Sequence, residues 1–317
     1  MVRIAVAGAG AFGREHLKAL LRRNDIDIVA VADPVGAAAE AAMASFGVER
    51  AFTDTVAMLD AMRPDGLIVA TPGATHLDLA SAALARDVPV LLEKPVGLTA
   101  QEADALVETE ARSRAFVLPG HILRFSAPHR QLVEIVRSGM LGPVLAVLCR
   151  KHRDDAHAVR YPDVDPVLMT LIHYIDLLQW ATGSAPERVY ALRSPPDTYR
   201  SVTIVTGRDG AGVAWSLANA WVMPGTCPPD RVEITCERGT VELEEGVAIR
   251  IHGAVSREID IRGAGDEDML DAEIEAFVNG IRAGGHPGHL TLADARQGLA
   301  IADAIARSLA DGGIEAV

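Results

Sequence analysis

Along the first 120 residues, short apolar runs alternate with stretches whose apolar residues recur every three or four positions. The runs predict buried strands and the spaced stretches predict amphipathic helices. Strands are expected at Arg3–Ala7, Ile28–Ala32, Gly66–Ala70, Val88–Leu92 and Ala115–Leu118, and helices at Gly13–Arg23, Gly36–Phe46, Thr55–Met62, His76–Arg86 and Thr99–Arg112. Apolar strands that alternate with helices are typical of a doubly wound α/β fold, with a parallel sheet covered on both faces.

The pattern changes after about residue 120, where the regular alternation of strand and helix stops. The expected elements are a helix at Ala127–Ser138, a strand near Val144–Arg150, an apolar helix at about Asp165–Ala181, strands between about 187 and 262, and helices at Met269–Ala283 and Leu292–Leu309. Period-two alternation and short turns predict mainly antiparallel hairpins. We therefore predict a Rossmann domain at 1–121 and an α+β domain with a large, mainly antiparallel open sheet at 122–317.

Composition and charge narrow the class of protein. The 317 residues are 49% hydrophobic and carry a net charge of -13, which argues against a nucleic-acid binder. The three cysteines show no CxxC spacing, and together with an N-terminal strand in place of a signal peptide they predict a cytoplasmic location. No apolar run is long enough to span a bilayer, so no membrane association is expected. The scattered His, Asp and Glu residues lack metal-ligand spacing, so no metal is predicted.

The segment Gly8-Ala-Gly-Ala-Phe-Gly13 follows the first strand and opens the first helix, the context that a dinucleotide-binding fingerprint requires. Gly8 permits a tight turn, Gly10 lets the backbone approach the pyrophosphate, and Gly13 lets the helix pack closely on the strand. Ala11 and Phe12 lie at the helix N-terminus, whose free N–H groups and positive dipole end favour phosphates. The alternative is a simple glycine turn.

Asp33 ends the second strand, 20 residues after Gly13, a position that suits hydrogen bonds to both ribose hydroxyls. A carboxylate there would repel a 2′-phosphate, so NAD is favoured over NADP. Arg14 lies close in sequence and could still accept NADP, so that cofactor stays open.

Two further loops follow predicted strands and are expected at the same sheet edge, since ligands of open α/β sheets bind outside the carboxyl ends of the strands. Thr71, Pro72 and His76 are expected beside the nicotinamide half of the cofactor, although a plain turn capped by Thr75 is equally compatible. Glu93 and Lys94 follow another strand and are also assigned to the cofactor site. Lys94 can hydrogen-bond a substrate oxygen or join a proton relay, or it is a surface lysine before a turn proline.

In the second half, the helix that contains Leu168-Met-Thr-Leu-Ile-His-Tyr-Ile-Asp176 is apolar except for one polar stripe. Thr170, His173 and Asp176 are spaced three apart and share a helix face. Such a stripe aims at a cavity or at a satisfied partner. His173 can take a hydroxyl proton near neutral pH, since an unperturbed imidazole has a pKa of about 6.5, or it is a structural core histidine.

Two more polar residues are candidates for substrate binding. Arg124 could hold a carboxylate or a hydroxyl of a substrate, or pair with an acid of the protein. Tyr161 closes a polar segment that begins at His152, which is either a pocket-lining loop or a solvated surface loop.

Taken together, these motifs resemble the glucose-fructose oxidoreductase / inositol dehydrogenase family over essentially the whole chain. The matching pieces, in the family's order, are Gly8-Ala-Gly-Ala-Phe-Gly13, Ala70-Thr-Pro72 with His76, Glu93-Lys-Pro95, Arg124-Phe125, His173-Tyr-Ile-Asp176, Glu275-Ala-Phe277 and Ala302-Asp-Ala-Ile-Ala-Arg-Ser308. The resemblance implies an NAD(P)-dependent dehydrogenase that acts on a secondary alcohol of a sugar, cyclitol or polyol. It also implies a homodimer or homotetramer built through the C-terminal sheet.

By the same resemblance, Lys94 contacts the reacting hydroxyl and His173 is the acid/base, with the substrate between the two domains near Arg124, Tyr161 and Thr170. Many relatives carry an aspartate four residues before the histidine, where this chain has Met169, which argues against myo-inositol itself. Two alternatives stay open: a glycosidase that uses NAD transiently, and a non-catalytic dinucleotide sensor.

Overall fold

A computed structural model describes residues 1–160, 164–196, 198–263, 266–288 and 290–317. The chain forms two compact units, Met1–Ile122 with Asp266–Arg296, and Leu123–Gly265 with Gln297–Val317. The two units are interleaved along the chain, because Asp266–Arg296 belongs to the first one. The predicted domain boundary at residue 121 stays a prediction. Within the described residues, no helix combines the length and the apolarity needed to cross a bilayer.

The helices in chain order are α1 (Ala11–Leu21), α2 (Gly36–Phe46), α3 (Thr55–Met62), α4 (His76–Leu84), α5 (Ala100–Glu110), α6 (Ala127–Arg137), α7 (Ala156–Arg160), α8 (Ile172–Thr182), α9 (Asp266–Ala283) and α10 (Leu292–Asp311). The strands are β1 (Val2–Ala7), β2 (Ile26–Ala32), β3 (Arg50–Phe52), β4 (Gly66–Val69), β5 (Val90–Glu93), β6 (Val117–Gly120), β7 (Val144–Asp154), β8 (Pro186–Ser194), β9 (Val202–Asp209), β10 (Ala214–Met223), β11 (Arg231–Cys236), β12 (Gly239–Glu244), β13 (Ala248–Gly253), β14 (Arg257–Asp260) and β15 (Glu315–Ala316).

The first unit contains a six-stranded parallel sheet in the order β3-β2-β1-β4-β5-β6. Its central strands are apolar on both faces, and Ile4, Val6 and Leu91 are fully buried. Local signals set the helix ends: Asp54 accepts a hydrogen bond from Ala57 N at 2.7 Å at the start of α3, and Gly47 ends α2 at φ +63°. This is the strand order of a Rossmann fold, with the carboxyl ends of β1, β4 and β5 at one edge.

The second unit contains a nine-stranded sheet in the order β14-β13-β12-β11-β7-β10-β9-β8-β15. Neighbouring strands are antiparallel except β7 and β10, which are parallel. Burial alternates along the strands, so that Val232 and Ile234 of β11 are buried while their sequence neighbours are half-buried. One face of the sheet therefore carries the core, and the predicted fold class is confirmed in both units.

Three local features differ from the predicted elements. Strand β3 has only three residues, too few to show a periodic pattern. Strand β7 continues to Asp154, so His152 lies within a strand and not in a loop. The predicted apolar helix divides into a π-helical turn at Val167–Leu171 and the α-helix α8, which ends at Gly183 with φ +68°.

Candidate active site

The loop between β1 and α1 requires glycine at two positions for steric reasons. Gly8 has φ +103°, and a Cβ there would lie 2.4 Å from Ala70 O. A Cβ on Gly13 would lie 2.0 Å from Gly8 O, so the helix packs directly on the turn. A Cβ on Gly10 would meet no protein atom within 4 Å. The absence of a side chain at Gly10 therefore leaves open space beside the backbone, where a bound group can approach.

The N-terminus of α1 presents backbone donors at this loop. Gly10 stands at the N-cap position with φ -70° and has no side chain to cap the helix. Ala11 and Phe12 follow it, and Phe12 is 43% exposed. The first N–H groups of α1 are orphan donors at the positive end of the helix dipole, and this arrangement suits a pyrophosphate.

Asp33 lies at the end of β2 and orders the same loop. Its Oδ2 accepts a hydrogen bond from Ala9 N at 2.8 Å, and its Oδ1 accepts one from Val35 N at 2.9 Å. A carboxylate has about four lone-pair sites, so capacity remains for ribose hydroxyls. Arg14 Nε donates to Ala9 O at 3.1 Å, which ties this guanidinium to the loop.

His76 connects two loops at the carboxyl edge of the sheet. It is 1% exposed, with Nδ1 2.7 Å from Pro95 O and Nε2 2.8 Å from Thr71 O. Burial lowers the pKa of His76 below its usual range, against the opposing effect of the two carbonyls. Thr75 Oγ1 also donates to Pro72 O at 2.9 Å. The predicted loop residues thus come together, and His76 holds the loops through their backbones.

Strand β5 ends at Glu93, and Lys94 follows it at that edge. Glu93 is buried, with Oε1 2.8 Å from His16 Nε2, whereas Lys94 is half-buried. Lys94 N donates to Glu93 Oε2 at 3.2 Å. Sequence reasoning missed His16 and Glu273, which meet Glu93 in the interior. The only signal in the sequence was the helical spacing of apolar residues around His16. Glu273 lies on an amphipathic helix, where a glutamate is expected at the surface.

In the second unit, the π-helical turn directly precedes the helix of His173. Thr170 is buried, and its Oγ1 donates to Pro166 O at 2.7 Å. The side chain of His173 is half-buried on α8. A π-turn breaks the three-residue spacing assumed for Thr170 and His173. The substrate role of Thr170 stays a prediction, and its hydroxyl is already engaged.

Arg124 pairs with the next polar residue of the predicted stripe. Its Nε donates to Asp176 Oδ2 and one terminal nitrogen donates to Oδ1, both at 2.8 Å, with side-chain exposures of 9% and 2%. The guanidinium also lies 5.0 Å from the ring centre of Trp180. The geometry matches the alternative in which Arg124 pairs with an acid of the protein. Tyr161 lies outside the described residues.

Behind α8 lies a buried charged cluster that sequence reasoning also missed. Lys151 Nζ donates to Asp230 Oδ2 at 2.8 Å, and Arg153 donates to the same carboxylate at 3.1 Å. Burial raises the pKa of the nearby Glu245 to about 7. Lys151 lies 5.1 Å from the ring centre of Tyr174, the residue after His173. Through the buried ring of Tyr174, this cluster contacts α8.

Comparisons with known proteins agree with this architecture. The chain matches the model of an oxidoreductase family with an NAD-binding Rossmann fold at residues 2–121, and the GFO/IDH/MocA C-terminal domain model at residues 129–242. It is 29% identical over 314 residues to the rhizopine catabolism protein MocA of Rhizobium meliloti, covering 95% of this chain and 93% of that protein. It is 29% identical to inositol 2-dehydrogenase 4 of Saccharopolyspora erythraea, covering 90% and 87%.

Among solved structures, the scyllo-inositol dehydrogenase of Lactobacillus casei with bound NAD(H) and scyllo-inositol is similar in fold. Its TM-score is 0.86 at 20% identity, with 100% of this chain and 99% of that chain covered. At this identity the likeness concerns the fold alone. The resemblance inferred from the motifs and the predicted NAD-binding architecture are both confirmed.

Proposed function

Because the chain belongs to the GFO/IDH/MocA family of NAD-binding oxidoreductases, we propose that it reversibly oxidises a secondary alcohol of a cyclitol or a related sugar or polyol. The observation that carries this proposal is the edge of the first unit, where the open space at Gly10 and the half-buried Lys94 follow strands of one parallel sheet. The relatives named inositol 2-dehydrogenase support a cyclitol.

The residues of the glycine loop fit the proposed cofactor. The N–H groups of Ala11 and Phe12 are available to hold the pyrophosphate, and the carboxylate of Asp33 to accept from the ribose hydroxyls. NAD, when bound, supplies the hydride acceptor for the oxidation. The protein supplies position and electrostatics at the alcohol.

Two side chains carry the proposed acid–base chemistry. The ammonium group of Lys94 donates a hydrogen bond to the hydroxyl oxygen of the substrate and stabilises the negative charge that develops there. The imidazole of His173 accepts the hydroxyl proton as the alcohol is oxidised, and returns it in the reductive direction. His76 and Glu93 position the loop of Lys94 through the backbone.

The open face of the nine-stranded sheet supports the proposed self-association. Leu148, Leu192 and Ile204 project from this face with exposures of 46%, 54% and 47%. An exposed sheet face that carries apolar side chains fits a second copy of the chain, in a homodimer or homotetramer. A cytoplasmic location stays a prediction.

The proposal is tested by NADH formation over a panel of cyclitols, aldoses, sugar acids and diols. Lys94→Ala and His173→Ala should each lower kcat by roughly 10² to 10⁴ while NADH binding, followed by fluorescence, is retained. Lys18→Ala changes an exposed lysine on α1 and should behave as the wild type. Near-normal turnover in either site variant would remove that residue from the mechanism. Product without net NADH would instead identify the glycosidase reaction.

A further inference from the structure

Three polar side chains meet in the interior of the first unit. His16 of α1 and Glu273 of α9 are fully buried, and Glu93 at the end of β5 is 6% exposed. His16 Nε2 lies 2.8 Å from Glu93 Oε1, and one side-chain atom from each of the three residues lies within 4.8 Å of the others. Among the described residues, neither carboxyl oxygen of Glu273 has a hydrogen-bond partner.

The surroundings of Glu273 disfavour a second negative charge. The groups that face it are Glu93, itself a carboxyl, and His16, which is already paired with Glu93. Two charged neighbours on its helix do not face it: Asp271 is paired at the surface with Arg22 of α1, and Glu275 is exposed. Burial in the first place, and the charge of Glu93 in the second, raise the pKa of Glu273 well above its usual range.

Glu93 links this cluster to the proposed catalytic lysine. Its Oε1 contacts His16, while its Oε2 accepts from Lys94 N at 3.2 Å. On its other side the carboxyl packs closely on β6, since a Cβ on Gly120 would lie 3.2 Å from Glu93 Cδ. Glu93 is therefore held between α1, β6 and α9. Because its carboxyl accepts the hydrogen bond of the Lys94 backbone N–H, a shift of this carboxyl changes that hydrogen bond.

We propose that Glu273 is a positioning residue that remains a neutral carboxylic acid in the folded protein, fills the space beside the His16–Glu93 pair, and through Glu93 sets the position of Lys94. An ionised Glu273 would compete with Glu93 for His16 and repel it. The charge state of Glu273 is a property of the fold alone, whereas the link to Lys94 rests on the proposed function.

The charge state is tested by the pH dependence of stability. A carboxyl whose folded pKa is raised contributes stability below its unfolded pKa, and that stability is lost as the pH rises towards the folded pKa. Glu273→Gln keeps the shape and cannot ionise, so its melting temperature should gain on the wild type as the pH rises above the ordinary pKa of a glutamate, about 4.3. Glu275→Gln, an exposed position on the same helix, should run parallel to the wild type. Parallel curves for wild type and Glu273→Gln would overturn the proposal.

Infrared difference spectra give a second, independent readout of the proton. Wild type minus Glu273→Gln at neutral pH should show a protonated carboxylic C=O band, and a carboxylate band in its place would overturn the proposal. Elemental analysis of the purified protein should find no stoichiometric divalent metal. If a chelator removes a tightly bound ion and lowers the melting temperature at the same time, Glu273 is an ionised ligand of that ion. This result would also overturn the proposal.

The positioning role is tested by rescue. Glu273→Ala opens space beside Glu93 and should lower kcat roughly 10- to 100-fold with the NADH affinity unchanged, whereas Glu273→Gln should restore most of kcat. If Glu273→Ala does not fold, Glu273→Val opens a smaller space beside Glu93 and should lower kcat in the same direction. An equal loss of kcat in Gln and Ala variants would contradict positioning by a neutral group. If no substrate is turned over at all, the proposed function fails, and the stability and infrared results still decide the charge state.

Discussion

The glycine loop of the first unit and the helix of His173 in the second unit hold their polar groups in opposite ways. The loop is built from backbone groups, and it leaves open space at Gly10 beside the N–H groups of α1. On the helix segment, the side chains of Thr170 and Asp176 are engaged by Pro166 O and Arg124. A polar side chain on an apolar helix is thus weaker evidence for a ligand than a glycine turn between a parallel strand and the N-terminus of a helix.

Replacement of Asp176 tests the helix of His173 and should change the protein most. Asp176→Ala leaves the buried Arg124 without its carboxylate and should lower the free energy of unfolding by about 3–5 kcal/mol. Urea denaturation measures it. Asp104→Ala removes a half-exposed partner of Arg296 and serves as the matched control, with little change expected. If Asp176→Ala keeps its stability and loses substrate affinity instead, Arg124 and Asp176 belong to a substrate site and not to the framework.

Two glycine variants test the loop between β1 and α1. Gly13→Ala places a Cβ 2.0 Å from Gly8 O. It should lower the free energy of unfolding by about 1–3 kcal/mol and also weaken NAD binding. Gly10→Ala has an ordinary φ of -70° and no steric conflict, so the melting temperature should stay unchanged. Its methyl group occupies the ligand's space, and the Kd for NADH should rise at least about tenfold. Equal NADH affinity in Gly10→Ala and the wild type would place the pyrophosphate elsewhere.

The smallest expected effect concerns Thr170. Its hydroxyl donates within its own helix segment, so Thr170→Val should change stability by about 1 kcal/mol or less and KM by less than about threefold. Steady-state kinetics on the substrate found by the panel measure the second value. A KM raised tenfold or more would show that Thr170 turns towards the substrate, and the contrast between loop and helix would then weaken.

Local signals were enough to predict much of the fold. The helices Gly36–Phe46 and Thr55–Met62 coincide with α2 and α3, because a capping aspartate and a left-handed glycine mark their ends within a few residues. The glycine fingerprint was equally readable, since Gly8 and Gly13 each answer a steric demand of the same short loop. The π-turn before α8 was not predicted, because a period of 3.6 residues was assumed throughout the helix.

The alternation of strands and helices, the glycine turn and the acid after β2 could be predicted from the sequence, since each follows from a pattern of residues close along the chain. The pairing of the polar side chains could not be predicted, because it depends on the folded structure. Arg124 and Asp176 are 52 residues apart, and Glu93 and His16 are 77 apart. Such pairs form because burial disfavours an uncompensated charge, and burial is created by the packing of distant segments. The same reason hid Glu273, whose significance depends on a neighbouring carboxyl that only the folded chain supplies.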